Sequence, residues 1–83
     1  VDIDWEYPIT GGDAGVHHNA NDDVNLSLLL EEFRLQMADA GQNLLLTMAT
    51  PGSDFRGQNF RINNDQQFLD WFNIMSYDLY GAW

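Results

Sequence analysis

The 83-residue chain contains no cysteine and no lysine, and it shows neither a signal peptide nor an apolar run long enough to cross a bilayer. The missing cysteine excludes a disulfide within the segment and leaves the redox compartment undecided. A membrane-crossing helix needs about 20 consecutive apolar residues, so these residues do not supply one. Cations are scarce as well: Arg34, Arg56 and Arg61 stand against thirteen acids, for a net charge of −10. Nucleic acids and anionic membrane surfaces both call for a basic patch, and neither is expected as a partner.

What the chain does have is a row of carboxylates at its start, Val1-Asp2-Ile3-Asp4-Trp5-Glu6-Tyr7-Pro8. Residues 1–8 read as a β-strand, whose side chains alternate faces. Asp2, Asp4 and Glu6 then share one face, and Val1, Ile3, Trp5 and Tyr7 the other. Residues two apart on a strand are separated by about 6.5–7 Å, close enough for carboxylates to meet or share a proton. Crowded carboxylates cannot all ionise at low cost, so one is expected to keep its proton near neutral pH and donate it to a leaving group. Glu6, last in the row, is the natural donor. A strand with a merely hydrated acidic face gives the same pattern. Against that reading stand Trp5 and Tyr7, which need a substantial core, and Pro8, which ends the strand just after Glu6. Glu6 is thus expected at the strand's C-terminal end, where barrel enzymes keep their chemistry.

Residues 9–23 have no sustained period and read as a long loop. Asp22, Asp23 or Asn25 can cap the helix that follows, whose apolar positions Leu26, Leu29, Leu30, Phe33 and Met37 recur at helical spacing until Gly41. Residues 44–50 are nearly all apolar and are closed by Pro51-Gly52. This suits a parallel strand covered on both faces, although periodicity alone also allows a buried helical segment. Residues 52–64 read as a polar loop, 65–71 as a short helix with Trp71 in the core, and 72–77 as a third strand. Alternating strands and helices indicate a parallel α/β array. His17 and His18 adjoin Asp13, Asp22 and Asp23, but their spacing matches no standard metal-ligand set, and a solvated loop is expected. Phe55 and Phe60 are open between packing and ligand contact.

The opening segment resembles the signature of glycoside hydrolase family 18, the chitinases and their relatives: D-x-x-D-x-D-x-E followed by an aromatic residue and often proline. Asp2, Asp4 and Glu6 match it, while the pattern's first aspartate would lie two residues before Val1. Met75-Ser76-Tyr77-Asp78, with the trailing Gly81-Ala82-Trp83, resembles the family's M-x-Y-D segment and its G-x-W. The resemblance implies an α/β fold that is part of a (β/α)8 TIM barrel, roughly strands four to six of eight. Such a barrel takes about 250 residues. Residues 1–83 are accordingly expected to be an internal fragment of a single catalytic barrel, with artificial ends and only marginal solubility alone.

For function, the resemblance implies a retaining chitinase in which the substrate's own acetamido group is the nucleophile. Glu6 would be the general acid, then base. Asp4 would orient the acetamido group and stabilise the oxazolinium-like intermediate, with Asp2 supporting it. Tyr77 would bind the acetamido carbonyl oxygen and Asp78 the sugar. Tyr7, Met75 and Trp83 would be further substrate contacts, Met75 by sharing the strand parity of Tyr77. Chitin or a chitooligosaccharide is the expected partner, and a neutral glycan fits the acidic charge. No cofactor, metal or obligate protein partner is expected, and secretion is implied by the resemblance alone. Alternatives are an endo-β-N-acetylglucosaminidase acting on N-glycans, a non-catalytic chitin-binding lectin on the same scaffold, and an acidic α/β domain in which both motifs are accidental.

Overall fold

The apolar runs assemble into a small parallel sheet backed by one long helix. The computed structural model describes residues 1–81. Strands β1 (Asp2–Ile3), β2 (Thr47–Pro51) and β3 (Trp71–Met75) lie in the order β1-β2-β3. All pairings are parallel, with Asp2 opposite Thr47 and Thr47 opposite Trp71. Parallel neighbours need a crossover. Helix α1 (Asp22–Asp39) supplies it between β1 and β2, and the short helices α2 (Asp54–Gly57) and α3 (Ile62–Asp65) supply it between β2 and β3.

The core lies between α1 and the sheet. Leu26, Leu30, Leu46 and Met48 are fully buried, and Met37 and Phe60 nearly so. Each such side chain contributes about 1.5–3 kcal/mol on leaving water. Ile3, Trp5, Tyr7, Phe33 and Phe68 pack around this cluster. Residues 47–50 of β2 are all buried, as expected of a strand covered on both faces. Helix α1 ends as its sequence suggests. Gly41 takes φ +65°, its N–H bonds the Ala38 carbonyl, and the Gln42 N–H bonds that of Met37. This is a Schellman closure.

Several boundaries depart from the sequence reading. The strand expected over residues 1–8 is ladder-paired only at Asp2 and Ile3, because pairing to β2 stops at Met48. Burial still alternates to Tyr7, with Asp2, Asp4 and Glu6 exposed and Ile3, Trp5 and Tyr7 half-buried. The second strand is Thr47–Pro51 rather than 44–50, and Leu44 and Leu45 are exposed before it. The polar stretch 52–64 is not a plain loop, since it holds α2 and most of α3.

The helix expected over 65–71 ends where it was expected to begin. Asp65 is a buried group, accepting a hydrogen bond from the Ser27 hydroxyl of α1. Asp70 then straightens the chain into β3, accepting from the Leu46 N–H at 2.8 Å and pairing with Arg34 at 2.6 Å. Trp71, expected in the core, opens β3 and is 49% exposed; its indole N–H bonds Asn73. The third strand is Trp71–Met75 rather than 72–77.

Asp22 and Asp23, expected as caps, lie in the first turn of α1 rather than at its cap position. Asn21 is the N-cap residue and makes no side-chain capping bond. The Asp22 carboxylate instead accepts from the N–H groups of Asn19 and Ile9, at 2.8 and 3.1 Å, pinning the loop to the helix. Leu29, expected on the buried stripe, is exposed along with Val24, Leu28 and Leu35, so α1 is apolar on both sides.

Candidate active site

The C-terminal ends of three parallel strands converge on one cavity of about 510 Å³. Glu6 and Tyr7 reach it from the segment after β1, Pro51 to Ser53 from the end of β2, and Met75, Tyr77, Asp78 and Leu79 from the end of β3; Phe55 and Arg56 of α2 complete the wall. Ligand sites of parallel α/β folds lie at this edge because side chains from successive loops can meet there. Five of the residues singled out in the sequence, Glu6, Tyr7, Met75, Tyr77 and Asp78, are thus brought together from opposite ends of the chain.

Asp2 and Asp4 do not line the cavity. Asp2 is tied across the sheet, accepting from the Thr47 hydroxyl at 2.6 Å and the Asn73 amide at 3.3 Å. One carboxylate thereby links all three strands, which fixes the base of the acid row. Asp4 is exposed, and its charge reaches the Tyr7 phenol. Trp83 lies outside the described residues.

Electrostatics couple Tyr7 to its neighbours. Burial pushes the Tyr7 hydroxyl above the usual phenol value, and its hydrogen bond to Glu6 and the Glu6 charge act in the same direction. The Arg56 guanidinium pulls the other way. Each term follows the same rule: low dielectric and negative neighbours disfavour a phenolate, and a cation favours it.

The backbone around Glu6 is tightly enclosed. Gly12 adopts φ +79°, and a β-carbon there would fall 1.9 Å from the Glu6 carbonyl oxygen. The loop after β1 therefore presses its backbone onto that of Glu6, which only glycine permits. Asp78 also takes a left-handed conformation, φ +50°, which aspartate tolerates better than most residues. The Glu6–Tyr7 peptide bond is cis.

Some participants were not singled out in the sequence. Thr47 and Asn73 hold Asp2, and their signal is a polar residue inside an otherwise apolar strand. The lining role of Arg56 leaves no comparable trace, since α2 lies in a stretch that reads as a polar loop. His17 and His18 are exposed, and no cluster of three or more metal-ligating side chains occurs among the described residues.

Comparison with known proteins agrees with both end motifs. The family description "Glycosyl hydrolases family 18" matches residues 1–83. Chitinase A1 of Niallia circulans is 39% identical over the whole chain, and an endochitinase of Manduca sexta is 34% identical. The chain spans 12% and 15% of these two relatives. Among solved structures, chitinase ChiA74 from Bacillus thuringiensis superposes with a TM-score of 0.91 at 36% identity, over 99% of this chain and 14% of its own. A group IV chitinase of Ostrinia furnacalis, solved with allosamidin, superposes with a TM-score of 0.82 at 31% identity, over 99% of this chain and 21% of its own. Both ends of the chain carry family motifs, and both sequence and fold align over essentially its full length. The chain belongs to glycosyl hydrolase family 18.

Proposed function

We propose that the protein containing this segment is a retaining chitinase, hydrolysing β-1,4-linked N-acetylglucosamine polymers with the substrate's acetamido group as nucleophile. The observation that carries the reading is the meeting of Glu6, Tyr77 and Asp78 around one cavity at the C-terminal edge of a parallel sheet, in a chain of this family. Residues 1–83 are read as an internal part of a single catalytic (β/α)8 barrel, supplying roughly strands four to six. The exposed Leu28, Leu29 and Leu35 of α1 support this, because apolar side chains left on a helix surface suit a neighbour packed over them.

In the first step Glu6 gives its proton to the glycosidic oxygen as the bond to the anomeric carbon breaks. The acetamido carbonyl oxygen bonds that carbon from the other face. Tyr77 holds this oxygen in line, Asp4 orients the acetamido N–H and balances the positive intermediate, and Asp78 positions the sugar. In the second step water attacks the anomeric carbon, the bond from that carbon to the acetamido oxygen breaks to regenerate the acetamido group, and the water's proton passes to Glu6, restoring the acid. Two displacements leave the configuration retained. Asp2 supports the row through Thr47 and Asn73. Met75, Tyr7 and Trp83 complete the sugar contacts. Chitin outside the cell is the substrate, and secretion accompanies that role.

A non-catalytic lectin on the same scaffold is disfavoured by Glu6, since loss of the proton donor is the usual route to that state. The test is proton NMR of early products when the intact catalytic domain meets an N-acetylated chitooligosaccharide. The reading expects new reducing ends in the β configuration before mutarotation. New ends of α configuration, or none, oppose it.

A further inference from the structure

One wall of the cavity carries a cation that this mechanism leaves unused. The guanidinium carbon of Arg56 lies 4.9 Å from the centroid of the Phe55 ring and 5.5 Å from that of Tyr7. All three residues line the cavity. Gly11 closes in on the same group: a β-carbon there would fall 2.2 Å from Nη1 and 2.6 Å from the guanidinium carbon. Arg56 is therefore seated by two rings and a stretch of backbone rather than by an acid. Among the described residues its hydrogen bond is a single long one, Nη1 donating to the Thr10 carbonyl oxygen at 3.5 Å. Most of the five N–H donors of a guanidinium thus have no protein acceptor there. Phe55 beside it is 68% exposed. An exposed ring on a cavity wall is a platform for the apolar face of a sugar.

We propose that Phe55 and Arg56 form a charge-selective sugar subsite, which accepts an N-acetylated sugar and rejects one bearing a protonated amine. This deepens the chitinase reading and rests on it. The two sugars differ only at C2. The acetamido group offers a carbonyl acceptor to the unused donors, whereas an ammonium offers only donors and a second positive charge. The guanidinium stays charged at every working pH. Glu6 and Asp78 line the same cavity and attract an ammonium, with Asp4 and the phenols of Tyr7 and Tyr77 nearby. These groups come from the loops after β1 and β3; Asp54 and Arg56 both adjoin Phe55, but Asp54 lines a separate cavity with Thr50, Ile62 and Ile74, and only Arg56 lines this one. Coulomb interactions fall with distance, so for a sugar seated on Phe55 the nearest charge decides. Two unit charges about 5 Å apart at a wet surface correspond to a discrimination of about fivefold.

The experiment compares fully N-acetylated with partly deacetylated chitooligosaccharides on the intact catalytic domain, in acid where the free amine is protonated, and sequences the products by mass spectrometry. The wild type is expected to deplete glucosamine about fivefold at one fixed position other than that of the sugar whose acetamido group is the nucleophile, where glucosamine is excluded whatever residue stands at position 56. Arg56→Gln is expected to abolish the depletion and Arg56→Lys to keep most of it. Raising the pH until the amine is neutral should weaken the depletion in the wild type, because the charge repulsion goes and only the missing carbonyl acceptor remains. An Arg56→Gln product pattern identical to the wild type overturns the proposal. So does an equal loss on both substrates in the Gln and Lys variants, which would make Arg56 a latch for Thr10 alone. Failure of the wild type to cleave even the acetylated substrate overturns the chitinase reading, and the subsite falls with it.

Discussion

Substituting Gly12 with alanine tests whether the backbone that presents Glu6 is held in place by the loop packed against it. The added methyl would lie 1.9 Å from the Glu6 carbonyl oxygen, 2.8 Å from its carbonyl carbon and 3.2 Å from the Tyr7 nitrogen. Ordinary contact begins at 3.4 Å, so loop and Glu6 must separate by about 1.5 Å. A displacement of about 1 Å in catalytic geometry costs on the order of a hundredfold in turnover. A second cost is the positive φ of +79°, which adds about 1 kcal/mol of instability for any residue with a β-carbon. Gly15 separates the two effects. It too has a positive φ, +107°, but a β-carbon there meets nothing within 4 Å.

The assay is kcat on a soluble chitooligosaccharide, alongside melting temperature, for Gly12→Ala and Gly15→Ala in the intact catalytic domain. Gly15→Ala should lower Tm by about 2 °C and leave kcat near the wild-type value. Gly12→Ala should lower kcat about a hundredfold while far-UV circular dichroism stays native. Equal kcat in the two variants would refute the argument that the loop fixes Glu6.

Asp65 gives a pH-dependent prediction. Burial pushes its carboxyl above the ordinary 3.8, outweighing the Ser27 hydrogen bond, which acts in the opposite direction; one carboxyl oxygen has no partner. A raised folded pKa means a contribution that is full below 3.8 and lost as pH rises through the folded value. Asp65→Asn should therefore match the wild type in strong acid and gain in Tm relative to it as pH rises; a gap that does not change with pH contradicts this. Ser27→Ala should destabilise by about 1–3 kcal/mol by stripping a buried acid of its donor, measured by denaturant unfolding. If its hydroxyl steadies the oxygen that becomes the nucleophile, as proposed, Tyr77→Phe should lower kcat by about tenfold or more with a smaller change in KM. Equal effects on kcat and KM would reduce Tyr77 to a ground-state contact.

The elements that sequence revealed best were those governed by one dominant force. Burial drives α1 and β2, and their apolar spacing marks them clearly, although Leu29 shows that helical spacing does not say which of two apolar sides faces the core. The acid row was legible as a burial alternation but not as a strand length, because pairing depends on a neighbour that residues 1–8 do not encode. Asp22 was misread because near a helix end an aspartate is a local capping signal, yet its carboxylate serves Ile9 across the loop. The partner of Asp65, Ser27 on α1, lies too far away in sequence to be legible. The cavity followed from motifs at opposite ends of the chain once the strands were taken as parallel. Its Arg56 wall did not, because the placement of that cation depends on Tyr7 and Gly11, which lie in the loop after β1, far from Arg56 in sequence.

The central claim is that Glu6 supplies the proton that breaks the glycosidic bond. Its most direct test is Glu6→Gln in the intact catalytic domain, with hydrolysis and binding of the same chitooligosaccharide measured side by side. The amide keeps the side-chain shape and loses the transferable proton, so turnover should fall by at least about a hundredfold while Kd stays within about threefold of the wild type. Turnover within tenfold of the wild type would contradict the account, because the proton would then have to come from another group.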